Sequence, residues 1–166
     1  MTTSIKKFAK LLFLAAFFWL PLTSGTAIAA DDGAKVVYHV DFQDATRYSA
    51  TLTSINNILN YYESELMEAE VHLVFVGFGL RFTTNNALKE TPYAHDKELL
   101  ERRDELKGRL QSLINTRGVK VHLCDKTRDE VGLPQKEVYE GIQFTASGVA
   151  KIAILQSEGF AYLKVQ

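Results

Sequence analysis

The chain has 166 residues, enough for one ordinary domain with a proper core, and only one of them is a cysteine, so an internal disulfide is excluded. The formal net charge of −1 becomes −4, 16 basic against 20 acidic side chains, if residues 1–30 are removed with Lys6, Lys7 and Lys10. A domain of that sign has no electrostatic footprint for nucleic acid. In chain order, Lys6, Lys7 and Lys10 form a basic n-region, Leu11 to Leu22 is an apolar core broken by Pro21, and Ala27-Ile28-Ala29 offers a small-x-small cleavage site. This layout predicts a secretory signal peptide over residues 1–30, a mature protein starting near Ala30 or Asp31, and a periplasmic location. The competing reading is an uncleaved membrane anchor; no later run reaches the roughly 20 apolar residues of a second crossing. Membrane contact is thus expected only through the signal before cleavage.

KVVYHV (35–40) then predicts a strand ended by Asp41. Residues 44–63 carry Tyr48, Leu52, Ile55, Leu59 and Tyr62 at helical steps behind an Asp44 cap. AEVHLVFVG (69–77) is a nearly continuous apolar run, the pattern of a strand buried on both faces. GFGLRFTTNN leads into a loop with Pro92, and Asp96 caps a charged helix with Leu99, Leu106, Leu110 and Leu113 on its apolar side and Gly118 beyond its end. VKVHLC is a third strand, followed by a short helix beginning near Asp125, with Gly132 and Pro134 breaking the chain behind it. GIQFTA is a fourth strand, Ser147 caps GVAKIAILQSE, Gly159 stops it, and FAYLKV is a fifth strand. No internal repeat or interdomain linker is visible, so residues 31–166 read as one α/β domain.

This alternation predicts an α/β fold: a three-layer α/β/α sandwich around a five-stranded, mainly parallel sheet, flavodoxin-like in architecture. In such folds ligands bind outside the carboxyl ends of the strands, where the strand order reverses. The strand ends gather His39, Asp41, Gly77, Gly79, Cys124, Asp125, Lys126, Thr127 and Ser147 as crevice-lining candidates, with Arg81 nearby, read as a solvated surface arginine by default and as an anion ligand in the alternative. Cys124 stands between a strand and a helix start, where free backbone N–H groups and the helix dipole favour the thiolate, the nucleophilic form. Lys126 and Arg128 add positive charge and Asp125 offsets part of it. The alternative is a small buried hydrophobe. His39, near the end of the first strand, is expected as hydrogen-bond partner or proton acceptor for the thiol.

Four stretches, KVVYHVDFQDATRYSATLTSINNILN, VHLVFVGFGLRF, RGVKVHLCDKT and SGVAKIAILQSEGFAYLKV, together resemble the DsrE/DsrF-like family, in its exported single-domain branch. GVKVHLCDKT and the carboxyl-terminal block are the most specific of them. The resemblance implies the same three-layer fold, assembly into homo-oligomers, and a strand-end cysteine that carries sulfur as a persulfide between a donor and an acceptor protein. Cys124 matches that cysteine. Some relatives have a second cysteine close by; this chain has none, which leaves a one-thiol carrier.

Rival chemistries are weaker. His39, Asp41 and Cys124 together would suit zinc or copper, but no two of them have the close spacing of a metal motif. Gly77-Phe78-Gly79 lacks the third glycine and the opening helix of a dinucleotide fingerprint and reads as a tight turn. No G-x-S-x-G nucleophile turn is present. ERRDELKGR reads as a solvated helix face. The sequence calls for no cofactor and no metal. Two functional readings follow: a sulfur carrier or sulfurtransferase-like protein acting through Cys124, or a non-catalytic oligomeric module that binds a small ligand or metal in the strand-end crevice.

Overall fold

β1 (Ala34–Val40) and β2 (Ala69–Phe75) are runs of β-branched and aromatic residues whose two faces are both covered, as the computed structural model of residues 33–166 shows. The segment expected to be a signal peptide lies outside these described residues. α1 (Ala45–Ser64) starts where the Asp44 carboxylate accepts the Arg47 N–H at 2.5 Å. α2 (Lys97–Asn115) starts where Asp96 accepts the Leu99 N–H at 2.9 Å. β3 (Lys120–Cys124) runs directly into α3 (Asp125–Glu130), with Cys124 itself as the N-cap. β4 (Ile142–Thr145) precedes Ser147, which caps α4 (Gly148–Ser157) through the Ala150 N–H at 3.3 Å, and β5 (Ala161–Leu163) follows.

The sheet order is β4-β3-β2-β1-β5, and all four pairings are parallel. From β1 to β4 the chain steps one strand at a time; α4 then carries it back across the sheet to β5. Two-residue alternation sorts the strands into two faces. Val36, Tyr38, Leu73, Phe75, Val121 and Leu123 meet Tyr48, Leu52 and Ile55 of α1 and Leu99, Leu106 and Leu110 of α2 in the main core. The opposite face has a much smaller apolar cluster, Val37 and Val74 against Ile152, Leu155 and Phe160. That face also carries His72 and His122, both buried.

Two segments differ from the sequence expectation. GFGLRF is a 3-10 segment, Gly77–Phe82, that buries Leu80 and Phe82, with the Phe82 ring stacked on Tyr48 at 4.1 Å. A Cβ at Gly79 would run into the carbonyl oxygen of Val40, so glycine is required there for close packing on the end of β1. ERRDELKGR is more than a solvated face. Arg109 reaches α1, donating to Ser49 Oγ at 2.6 Å and Thr53 Oγ1 at 2.8 Å. Arg103 donates to the Asn85 carbonyl at 3.0 Å. Long guanidinium side chains cross between adjacent helices in a way that composition does not reveal.

Candidate active site

Cys124 ends β3 on the same sheet face as His122, beneath the start of α4. Its residue surface is only 5 % exposed. Burial pushes the thiol pKa up, but four hydrogen bonds outweigh it: the Gly148 N–H, the Thr127 hydroxyl, and the Thr127 and Lys126 N–H groups. The net result is a thiol held below its ordinary value, which favours the thiolate. The donors come from two elements. Lys126 and Thr127 lie in the first turn of α3, and Gly148 is the first residue of α4. A Cβ at Gly148 would lie 2.5 Å from Val76 Cγ2 and 3.1 Å from Cys124 Cβ, so this close approach of helix and thiol depends on glycine.

Thr127 connects the thiol to the neighbouring strand end. Its Oγ1 accepts the Gly77 N–H at 3.2 Å while its hydroxyl is hydrogen-bonded to Cys124. Gly77 takes φ +54°, and nothing lies within 4 Å of where its Cβ would stand, so the backbone there is open. Beside it, Phe78 is 37 % exposed and meets the Tyr93 ring edge-on at 5.5 Å. The Tyr93 phenol is pushed up by burial first, then by the negative charges of Glu130 and Cys124, which places it within electrostatic reach of the thiolate.

The sequence candidates divide between this site and others. Thr127, Lys126, Gly77 and Ser147 are brought to the thiol, Ser147 by fixing the first turn of α4. Asp125 is adjacent, but its carboxylate is bonded to Arg128 Nε at 2.6 Å. Gly79 packs on β1 rather than on the crevice. Arg81 is neither solvated nor an anion ligand at the crevice. It is 2 % exposed, and its Nη2 is bonded to Asp96 at 2.7 Å.

His39 and Asp41 belong to the end of β1, two strands from β3 and so roughly 10 Å away across the sheet. His39 Nδ1 is 3.0 Å from the Tyr162 hydroxyl, and its Nε2 is 3.9 Å from Asp41, whose carboxylate takes Lys164 at 2.8 Å. The structure does not bring His39 to the thiol. The β1 end, with β2 and β5 on its two sides, is where the strand order reverses, so the reversal rule picks out His39 and Asp41 rather than Cys124. The thiol is placed by two helix starts instead. Among the described residues no three His, Cys, Asp or Glu side chains are grouped so as to hold a metal ion.

Sequence reasoning missed two features of this site. Gly148 was legible as a strand-end residue and as the first helical residue after its cap, but its contact with Cys124 needs α4 laid back over β3. Tyr93 sits in the loop before α2 and carries no local signal.

A parallel α/β/α sheet defines the fold class, and the comparisons with known proteins agree with it. The DsrE/DsrF-like family model matches residues 35–165, and the chain belongs to that family. Two solved structures are similar in fold. A protein of unknown function, MTH1491 from Methanobacterium thermoautotrophicum, is 22 % identical with a TM-score of 0.60, covering 79 % of this chain and 98 % of its own. The ychN protein from E. coli is 14 % identical with a TM-score of 0.53, covering the same shares. No curated protein matches the chain.

Proposed function

We propose that the protein is an exported sulfur carrier that holds sulfur as a persulfide on Cys124. The observation that carries this reading is the set of four hydrogen-bond donors converging on one sulfur, within a family of sulfur-handling name. In the loading step the Cys124 thiolate attacks the outer sulfur of a donor R–S–SH. A Cys124 S–S bond forms, the R–S to outer-sulfur bond breaks, and the leaving thiolate takes the proton as R–SH. The step is redox-neutral and needs no cofactor. An acceptor thiolate then attacks the outer sulfur and regenerates the Cys124 thiolate. The converging donors stabilise the anion at both ends of the cycle, as preorganised dipoles do for developing charge. With no second cysteine in the chain, release depends on the acceptor's nucleophile.

His39 has no part in this cycle, because it stands away from the sulfur and the four donors favour the thiolate, whose proton passes to solvent. The crevice-binding alternative gains no observation, since His39 and Asp41 do not meet Cys124. The periplasmic location rests on the signal-like residues 1–30. Self-association is supported by the outer side of α4 and the neighbouring β5, which expose Val149, Ile154 and Tyr162. The test is intact-mass spectrometry of the purified protein after exposure to an alkyl hydropersulfide. One sulfur atom gained by the native protein and none by a folded Cys124→Ser variant is the expected result. No gain by the native protein overturns the proposal.

A further inference from the structure

Beneath α4, separate from the thiol's donors, three side chains form a hydrogen-bonded file that climbs the sheet. Glu70 Oε1 is 3.0 Å from His72 Nε2, and His72 Nδ1 is 2.9 Å from His122 Nε2. The two imidazoles are stacked at 5.0 Å, and the Phe160 ring meets His72 edge-on at 4.8 Å. Lys120 also bonds Glu70, and this bond, with that from His72, holds the carboxyl below its usual range.

The chemistry of the file fixes its protons. An ionised Glu70 only accepts, so His72 Nε2 must donate. A neutral His72 then accepts at Nδ1, so His122 Nε2 donates in turn. The one imidazole lone pair left is on His122 Nδ1, and a proton that charges the pair has to go there. It would make a cation on a buried face where the charges of Lys120 and Lys151 already oppose protonation of the pair. The only carboxylate in the file is shared with Lys120. Cys124, two residues beyond His122 on the same face, has its sulfur engaged by its own donors and does not act on the pair, and the groups on the neighbouring strands give no relief. From β1 these are Lys35, Val37 and His39, opposite Glu70, His72 and Val74, and from β4 it is Gln143, opposite His122.

We propose that Glu70, His72 and His122 form an acid-sensitive latch for α4, which stays on the sheet while both imidazoles are neutral and is released when the pair takes up a proton. α4 is the element that yields. It carries Lys151, has ten residues, and is held by the smaller apolar cluster, whereas α1 and α2 share the main core. A helix this short does not persist off its sheet. Burial pushes both imidazoles below their ordinary value, His122 to about 4, so the closed state refuses the proton that the open state accepts. Release also withdraws the Gly148 N–H from Cys124 and uncovers the thiol, although the latch itself does not depend on the sulfur chemistry.

Native-state hydrogen exchange tests this directly. Corrected for intrinsic rates, opening of residues 148–157 should rise up to about tenfold per pH unit below about pH 6.5, the slope of one proton. β1 and β2 should stay protected over the same range. His122→Gln, which keeps a donor toward His72 but cannot titrate, should flatten the slope. α4 protection that does not change with pH, or that falls in step with β1 and β2, overturns the latch. If the variant does not fold, the imidazole titration of the native protein decides. A His122 midpoint that coincides with α4 opening supports the proposal, and one that does not overturns it.

Discussion

Replacing Thr127 with valine removes one hydroxyl and keeps the shape of the side chain. The hydroxyl is one of four donors on Cys124 and the acceptor of the Gly77 N–H at 3.2 Å. A hydrogen bond to a charged group is worth about 1.5–3 kcal/mol, and about 1.4 kcal/mol corresponds to one pH unit. The midpoint of thiol reactivity should therefore rise by about one to two pH units in Thr127→Val. The orphaned Gly77 amide adds a stability cost of about 1 kcal/mol, the low end for a lost partner, because Gly77 is only half-buried and water can replace the hydroxyl. The assay is the rate of alkylation by iodoacetamide against pH, with circular dichroism to confirm folding. Thr127→Ser keeps the hydroxyl and should titrate close to the native protein. An unchanged midpoint in folded Thr127→Val, or a serine variant shifted as far as the valine one, would refute the account of how this thiol is ionised.

Gly79→Ala drives a methyl group into the Val40 carbonyl at the end of β1 and should cost about 1–3 kcal/mol or more, read as a lower urea midpoint; a neutral effect would mean that the 3-10 segment can move. Asp96→Asn keeps an equally good helix cap but leaves Arg81 buried without its counter-charge. It should lose about 1–3 kcal/mol, with Arg81→Met in the same background recovering part of it. His95 is half-buried, and burial together with the charges of Arg81 and Arg103 pushes it down to about 4. The unfolded chain takes up this proton below about pH 6.5 and the folded one does not, so this contribution is full above pH 6.5 and is lost as pH falls toward 4. His95→Phe should accordingly reduce the loss of stability between pH 7 and pH 5 by about 1–2 kcal/mol in urea titrations.

The order and type of the elements were written into the sequence because they depend on neighbours along the chain. Asp44, Asp96 and Ser147 sit where helices need an acceptor, and the strands carry β-branched runs of the right length. The position of Cys124 at a strand end before a helix start was legible for the same reason. The strand order was not legible. It was decided by where α4 packs, and it put His39 two strands from the thiol while bringing Gly148 onto it. The partners of Arg81 were equally hidden, since a buried guanidinium and a solvated one look alike until the loop before α2 folds back to supply Asp96. His72 and His122 stand on separate strands fifty residues apart, and the register that makes them neighbours comes from the pairing of β2 with β3. Local structure follows from short-range sterics and capping, which a sequence states directly. A site made from residues far apart in the chain follows from how the layers close, because only closure decides which polar groups lose their water and must find each other.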